Sequence, residues 1–224
     1  MTRALCVAGM REHRSFLRAA VRNPRRIGAI APSSRRLSAL MASVVPATGR
    51  PVVVELGPGT GAVSALIAER LPAGGRHLAV EVDPHLAADL ARRHPTIEVI
   101  TGDVRDLDRL LAERGVTSVD AVVGGLPWSL FDAADQHRIL RRIADILAPD
   151  GAFTTFAYTH TGPMRGARSF RSALEAVFEE AQISRTVWRN APPAFGYICR
   201  RPRPGSPVAE PRAAAAARSG RGIA

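Results

Sequence analysis

The sequence predicts an α/β domain built on a doubly wound, seven-stranded mixed sheet, with an N-terminal amphipathic helical segment in front of it. Three observations predict this. Short β-branched runs alternate with longer amphipathic stretches between residues 50 and 201, as parallel strands joined by right-handed helical crossovers require. The first run, Val52–Leu56, passes directly into Gly57-Pro58-Gly59-Thr60-Gly61 and then into an apolar-periodic helix. A strand–glycine loop–helix unit lets backbone pass close to a ligand and aims helix N–H groups at it. The last two strand candidates are separated by Pro192-Pro193 rather than by a helix, so the final pair is antiparallel and the sheet is mixed.

The elements follow in order. Strands are expected at 52–56, 77–82, 97–101, 121–124 and 152–157, with helices at 62–70, 86–94, 106–113 and 133–147 between them. A helix at 168–178 and strands at 182–187 and 195–200 complete the sheet. Ahead of it, Ser33 and Ser34 stand where they would cap a helix over 37–42. Composition divides the chain into a basic helical segment (1–45), the α/β domain (46–201) and a Pro/Ala/Arg-rich tail (202–224) read as disordered.

The 224 residues suffice for one domain with a full core, and 46% of them are hydrophobic. The net charge of +11 favours an anionic partner, and every basic residue counted among the 31 Lys and Arg is Arg. GC-rich coding explains the missing Lys, so the charge informs through its placement. Cys6 and Cys199 have no metal-ligand spacing and make a poor disulfide framework. No metal is expected, and a reducing cytoplasm is the default compartment. No apolar run reaches the length of a membrane span, and the first ten residues are too short an apolar stretch for a signal peptide. Any membrane role is therefore peripheral, at the inner face of the cell membrane.

Carboxylates recur at three successive strand ends: Glu55 before the glycine loop, Glu81 (with Asp83) after the second strand, and Asp103-Val104 after the third. Each has an ordinary reading as a helix cap or turn residue. The glycine loop alone would also suit a nicotinamide enzyme. Together, the Glu-x-Gly-x-Gly-x-Gly spacing of Glu55, Gly57, Gly59 and Gly61 and the ordered acids resemble motif I and its partners in the class I S-adenosylmethionine-dependent methyltransferases, which are Rossmann-like. The resemblance implies S-adenosyl-L-methionine as cofactor and S-adenosyl-L-homocysteine as product. It assigns Glu81 to the ribose hydroxyls, Asp103 and Val104 to the adenine, and Glu55 to the cationic end.

The fourth strand ends Gly124-Gly125-Leu126-Pro127-Trp128. Enzymes that methylate base amines carry Asn or Asp-(Pro or Leu)-Pro-aromatic here; this chain keeps Leu-Pro-aromatic with Gly first. The backbone carbonyls of Gly125 and Leu126 remain to accept from an acceptor amine, and Trp128 could add a cation–π contact or simply wall the pocket. Together with Gly28-Ala29-Ile30-Ala31-Pro32-Ser33-Ser34, Phe156-Ala157-Tyr158 and Val187-Trp188-Arg189-Asn190-Ala191-Pro192-Pro193-Ala194-Phe195, this stretch resembles the bacterial phospholipid N-methyltransferases related to ribosomal RNA adenine dimethylases. That family converts phosphatidylethanolamine stepwise toward phosphatidylcholine. The likeness implies that Ile30 to Ser34 closes over the cofactor, with Ser33 and Ser34 hydroxyls on its carboxylate and Gly124 in the same site.

Arg14, Arg18 and Arg22 recur at helical spacing with Phe16, Leu17, Ala20 and Val21 between them. Such a basic amphipathic helix suits an anionic membrane surface, with a solvated helix face as the plain alternative. The expected chemistry is in-line displacement, in which a neutral amine attacks the activated methyl. Tyr158 and His160 are the candidates for taking the amine proton, and Arg165 and Arg168 for holding a lipid phosphate. A monomer acting on phosphatidylethanolamine is expected. An RNA adenine N6-methyltransferase and a non-catalytic basic surface binder are the alternatives, with nucleic acid disfavoured by Gly124 and Gly125 where Asn or Asp should stand.

Overall fold

In a computed structural model, the structure describes residues 33–204. Seven strands form one sheet in the order β3-β2-β1-β4-β5-β7-β6. They are β1 (Val52–Leu56), β2 (Arg76–Glu81), β3 (Glu98–Thr101), β4 (Val119–Gly124), β5 (Leu147–Tyr158), β6 (Phe178–Ile183) and β7 (Ala194–Pro202). The first five pair in parallel, and β7 runs antiparallel between β5 and β6. The mixed, doubly wound α/β sheet read from the sequence is therefore the one found. Its carboxyl edge collects the ends of β1 to β6 and the start of β7.

Helices cover both faces. They are α1 (Arg35–Met41), α2 (Ala62–Arg70), α3 (Pro84–Arg93), α4 (Leu107–Ala112), α5 (Ala133–Ile146) and α6 (Arg165–Val177). Alternation within each strand sorts the core into two layers. Val54, Leu56, Val80 and Val122 face α4, α5 and α6, whereas Val53, Ala121 and Val123 face α1 and α2. Leu37 and Met41 of α1 are fully buried in the second layer, and burying side chains of this size contributes roughly 1.5–3 kcal/mol each. The chain from Ser34 onward thus packs as part of the domain core.

Several boundaries shift, the fifth strand starting at Leu147 and the last helix at Arg165 among them; two shifts show their cause. The strand expected at 182–187 lies at Phe178–Ile183, starting where α6 ends. Phe178 is drawn into the core, where it stacks on Phe153 at 5.9 Å. Glu179 and Glu180 look helical in sequence, yet β6 is the outermost strand of the sheet, whose open side tolerates charge, and Glu180 pairs with Arg201. Val187 keeps only a single bridge to Ala194. The third helix also starts earlier than expected, because Asp83 caps it through the N–H groups of His85 and Leu86 and Pro84 occupies its first turn. Ile30, Arg14, Arg18, Arg22 and the tail from 205 lie outside the described residues.

Candidate active site

The glycine loop leaves β1 with Gly57, Gly59 and Gly61 all at positive φ (68°, 54° and 80°). A side chain on Gly59 would meet nothing within 4 Å, so the loop presents bare backbone to open space there. The Gly57 N–H donates to the Val80 carbonyl at 2.9 Å and the Gly61 N–H to Pro58 at 2.9 Å. Arg93 donates to the Thr60 carbonyl at 3.1 Å, tying α3 to the loop. On its other side the loop is pressed against the end of β4. A Cβ on Gly125 would lie 2.6 Å from the Gly57 carbonyl oxygen, so only glycine fits.

The acids sit around this loop. Glu81 is 1% exposed and accepts from the N–H groups of Gly59 (3.1 Å) and Asp83 (2.9 Å). Burial pushes its carboxyl up, against the opposing pull of those N–H groups. Asp83 is the cap of α3, so Glu81 is the acid of this pair that faces the loop. Asp103 accepts from the Arg105 N–H at 3.0 Å and holds the Arg105 guanidinium through both oxygens at 3.1 Å; Arg105 reaches on to Asp135 at 3.4 Å. Val104 is buried among Leu107 and Leu110 in the core.

Glu55 is placed differently from the expectation. It lies beneath the loop, not in it, accepting from the Ser64 hydroxyl at 2.7 Å and lying 3.1 Å from His77 Nε2. At 1% exposure it braces β1 against the first turn of α2 and against β2. Ser64 and His77 were not read from the sequence. The signal for Ser64 is its third position in the helix that follows the loop; His77, on β2, has no local signal.

Ser34 caps α1, accepting from the Leu37 N–H at 3.3 Å, which is the plain reading of that residue. Its own N–H donates to Asn190 Oδ1 at 2.8 Å, and Asn190 Nδ2 donates to the Pro192 carbonyl at 2.7 Å. Ser34 and the distinctive stretch 187–195 therefore meet through a buried Asn. Thr159 closes the same corner by donating from N–H and hydroxyl to the Pro193 carbonyl.

Beyond Gly125 opens a cavity of about 240 Å³, lined by Leu126, Trp128, Phe156, Tyr158, Arg168 and Phe195 among others. Trp128 is a wall of it and part of the core. It is 4% exposed, stacks on Phe170 at 4.4 Å and donates its indole N–H to Thr155 at 2.8 Å; with one face covered, it is poorly placed for a cation–π contact. Thr155 in turn donates to the Gly124 carbonyl at 2.8 Å. The Leu126 carbonyl already accepts from the Trp128 N–H at 2.9 Å. Tyr158 lines the cavity, and burial raises its phenol above the ordinary 10.0. It is therefore a neutral hydrogen-bonding group at neutral pH rather than a base. His160 is exposed, stacks on Tyr158 at 5.6 Å and does not line the cavity. Arg168 lines it and donates to the Pro163 carbonyl; Arg165 is exposed outside it. Arg171, also lining, pairs with Glu175 at 3.0 Å. Cys199 is buried away from the site, its thiol pushed up to about 12. No group of three His, Cys, Asp or Glu among the described residues could hold a metal.

A seven-stranded sheet in this order, with a bare glycine loop and a buried acid at the end of β2, is the scaffold of an S-adenosylmethionine-dependent methyltransferase. Residues 53–151 match the family model described as a methyltransferase domain. The chain is 35% identical over 177 residues to an ornithine lipid N-methyltransferase from Singulisphaera acidiphila, covering 78% of this chain and 88% of that protein. Solved structures share the fold at lower identity. A TehB-like S-adenosylmethionine-dependent methyltransferase from Corynebacterium glutamicum superposes with a TM-score of 0.53 at 15% identity, covering 73% of this chain and 86% of that one. Fibrillarin from Aeropyrum pernix, solved with natively bound S-adenosyl-L-methionine, gives 0.53 at 16% identity, covering 73% and 74%. The chain belongs to the class I S-adenosylmethionine-dependent methyltransferases, and its cofactor is S-adenosylmethionine.

Proposed function

We propose that the protein N-methylates a membrane aminolipid, with phosphatidylethanolamine and its methylated derivatives as acceptors on the way to phosphatidylcholine. The observation that carries this is the cavity next to the glycine loop. At about 240 Å³ it is smaller than the roughly 300–1,000 Å³ of drug-sized sites, which suits a headgroup whose acyl chains stay outside. Its walls are apolar and aromatic, and a desolvated wall depresses the pKa of an alkyl amine and so favours the neutral nucleophile. The bound cofactor supplies a methyl group on a cationic sulfur, already activated. The chain has to hold and align.

In this reading Gly57 to Gly61 give the cofactor close backbone approach, Glu81 accepts from its ribose, and Asp103 accepts from its adenine. Glu55 acts from below by fixing the loop's helix through Ser64. Gly125 and Tyr158 orient the amine, and Arg168 meets the headgroup anion. A zwitterionic lipid carries an amine and an anion a few bonds apart, and ornithine lipid has the same pairing, with a carboxylate in place of the phosphate. The 35% identical relative favours ornithine lipid as a second reading of the acceptor.

The test incubates purified protein and S-adenosylmethionine with vesicles containing phosphatidylethanolamine or ornithine lipid, and reads lipid masses. Increments of one methyl on phosphatidylethanolamine are expected. Increments on ornithine lipid alone would move the acceptor to the second reading, and increments on neither would refute lipid methylation.

A further inference from the structure

We infer that the loops between β5 and α6 and between β6 and β7 form a bilayer-docking surface, with Trp188 as its insertion point. Three large hydrophobic side chains stand exposed among the described residues: Met164 (49%), Ile183 (45%) and Trp188 (76%). All lie at the carboxyl edge of the sheet, where Met164 precedes α6, Ile183 ends β6 and Trp188 precedes β7. Ile183 also lines the headgroup cavity, so the apolar surface continues into the site.

The Trp188 turn is braced. The Asn190 N–H bonds the Val187 carbonyl at 3.3 Å, which makes Trp188 and Arg189 its tip. Beneath the tip, Asn190 is 6% exposed and holds Ser34 on one side and Pro192 on the other. A buried polar anchor thus holds an indole in solvent. Tryptophan with one end apolar and the other wet is the residue of membrane interfaces.

The charge around it selects an anionic bilayer. The sequence has no Asp or Glu between Asp150 and Glu175, nor between Glu180 and Glu210. Arg165, Arg185 and Arg189 lie within these acid-free stretches and are exposed. The opposite half of the same edge carries Glu81, Asp83 and Asp103. The basic, apolar half is therefore the one that faces anionic lipid, and a membrane there brings an aminolipid headgroup to the cavity mouth while its chains stay in the bilayer. This rests on the lipid reading of the cavity, but it is tested without it.

The protein has two tryptophans, and Trp128 is 4% exposed, so quenching by acrylamide reports on Trp188. Full-length protein without cofactor is titrated with vesicles of phosphatidylcholine containing phosphatidylglycerol. A blue shift and a several-fold fall in the quenching constant are expected, and Trp188→Ser should weaken vesicle binding by roughly tenfold. Sedimentation with vesicles while Trp188 stays fully quenchable would overturn the inference. So would a shift produced by protein concentration alone (a second copy on the patch) or by RNA but not by vesicles. Protection of Trp188 with no lipid methylation would leave docking standing and remove the proposed function; methylation with Trp188 unprotected would do the reverse.

Discussion

Replacing Gly125 with Ala tests how tightly the cofactor loop and the acceptor strand share space. The added Cβ would sit 2.6 Å from the Gly57 carbonyl oxygen and 3.5 Å from that of Leu56. Ordinary contact begins at 3.4 Å, so the Gly57 carbonyl must retreat by about 0.8 Å, and backbone on both sides leaves no flexible side chain to absorb it. Overpacking of this kind costs roughly 1–3 kcal/mol, or about 3–10 °C in Tm for a domain of this size. The displaced atom belongs to the cofactor cradle, and a shift approaching 1 Å there costs on the order of 100-fold in rate. A thermal melt reads the first effect and the methyl-transfer rate the second, while calorimetric titration with S-adenosylmethionine reads the affinity that the displaced carbonyl should weaken. Gly49→Ala is the control: an added Cβ there meets nothing within 4 Å, so only its positive φ (81°) matters, and it should cost roughly 1–2 kcal/mol of stability with cofactor affinity unchanged. If Gly125→Ala bound the cofactor like wild type, the packed contact between the loop and β4 would be wrong.

Four further outcomes are expected. Glu81→Gln should weaken S-adenosylmethionine binding by roughly 10–100-fold, the loss of one charge-assisted hydrogen bond. Because burial raises the Glu81 carboxyl, wild-type affinity should begin to fall at a pH above the ordinary glutamate range. The same shift means this group stabilises the fold fully below pH ~4.5 and loses that contribution as pH rises through its folded value; melts of wild type and Glu81→Gln against pH should diverge in that window and not elsewhere. Tyr158→Phe should lower kcat by about tenfold with cofactor Kd unchanged, whereas His160→Ala should stay within about twofold; a larger His160 effect would restore it as the proton acceptor. Asn190→Ala should cost roughly 1–3 kcal/mol, since it strands the Ser34 N–H and the Pro192 carbonyl, and should speed tryptic cleavage at Arg35 and Arg36; unchanged cleavage would deny the clasp. Ala167→Trp, filling the cavity, should abolish methyl transfer while titration still shows cofactor binding, and loss of both would mean the cavity is not a separate acceptor site.

The parallel half of the fold was legible because each strand is a short β-branched run with a helix between it and the next, and because Gly57, Gly59 and Gly61 punctuate the first crossover. Strand β6 was not, since Glu179 and Glu180 continue the helical pattern of α6 and only the unpaired side of an outermost strand lets them sit there. The acids stood out by position, but their partners did not: Ser64 is signalled only by its place in the helix after the loop, His77 under Glu55 is a contact 22 positions away, and Arg105 on Asp103 is a turn contact. Tyr158 was legible as a candidate base just past the expected fifth strand, yet that role depended on burial, which raises the phenol instead of freeing it. Asn190 stood in a stretch noted as distinctive, but its hydrogen bond to Ser34 spans 156 positions, beyond any local pattern.

The most direct test of lipid amine methylation is a single reaction holding the protein, methyl-labelled S-adenosylmethionine, anionic vesicles with phosphatidylethanolamine, and ribosomal RNA. After extraction, the label is predicted in the lipid phase, on nitrogen, with the RNA unlabelled. Label in the RNA and none in the lipid would contradict it.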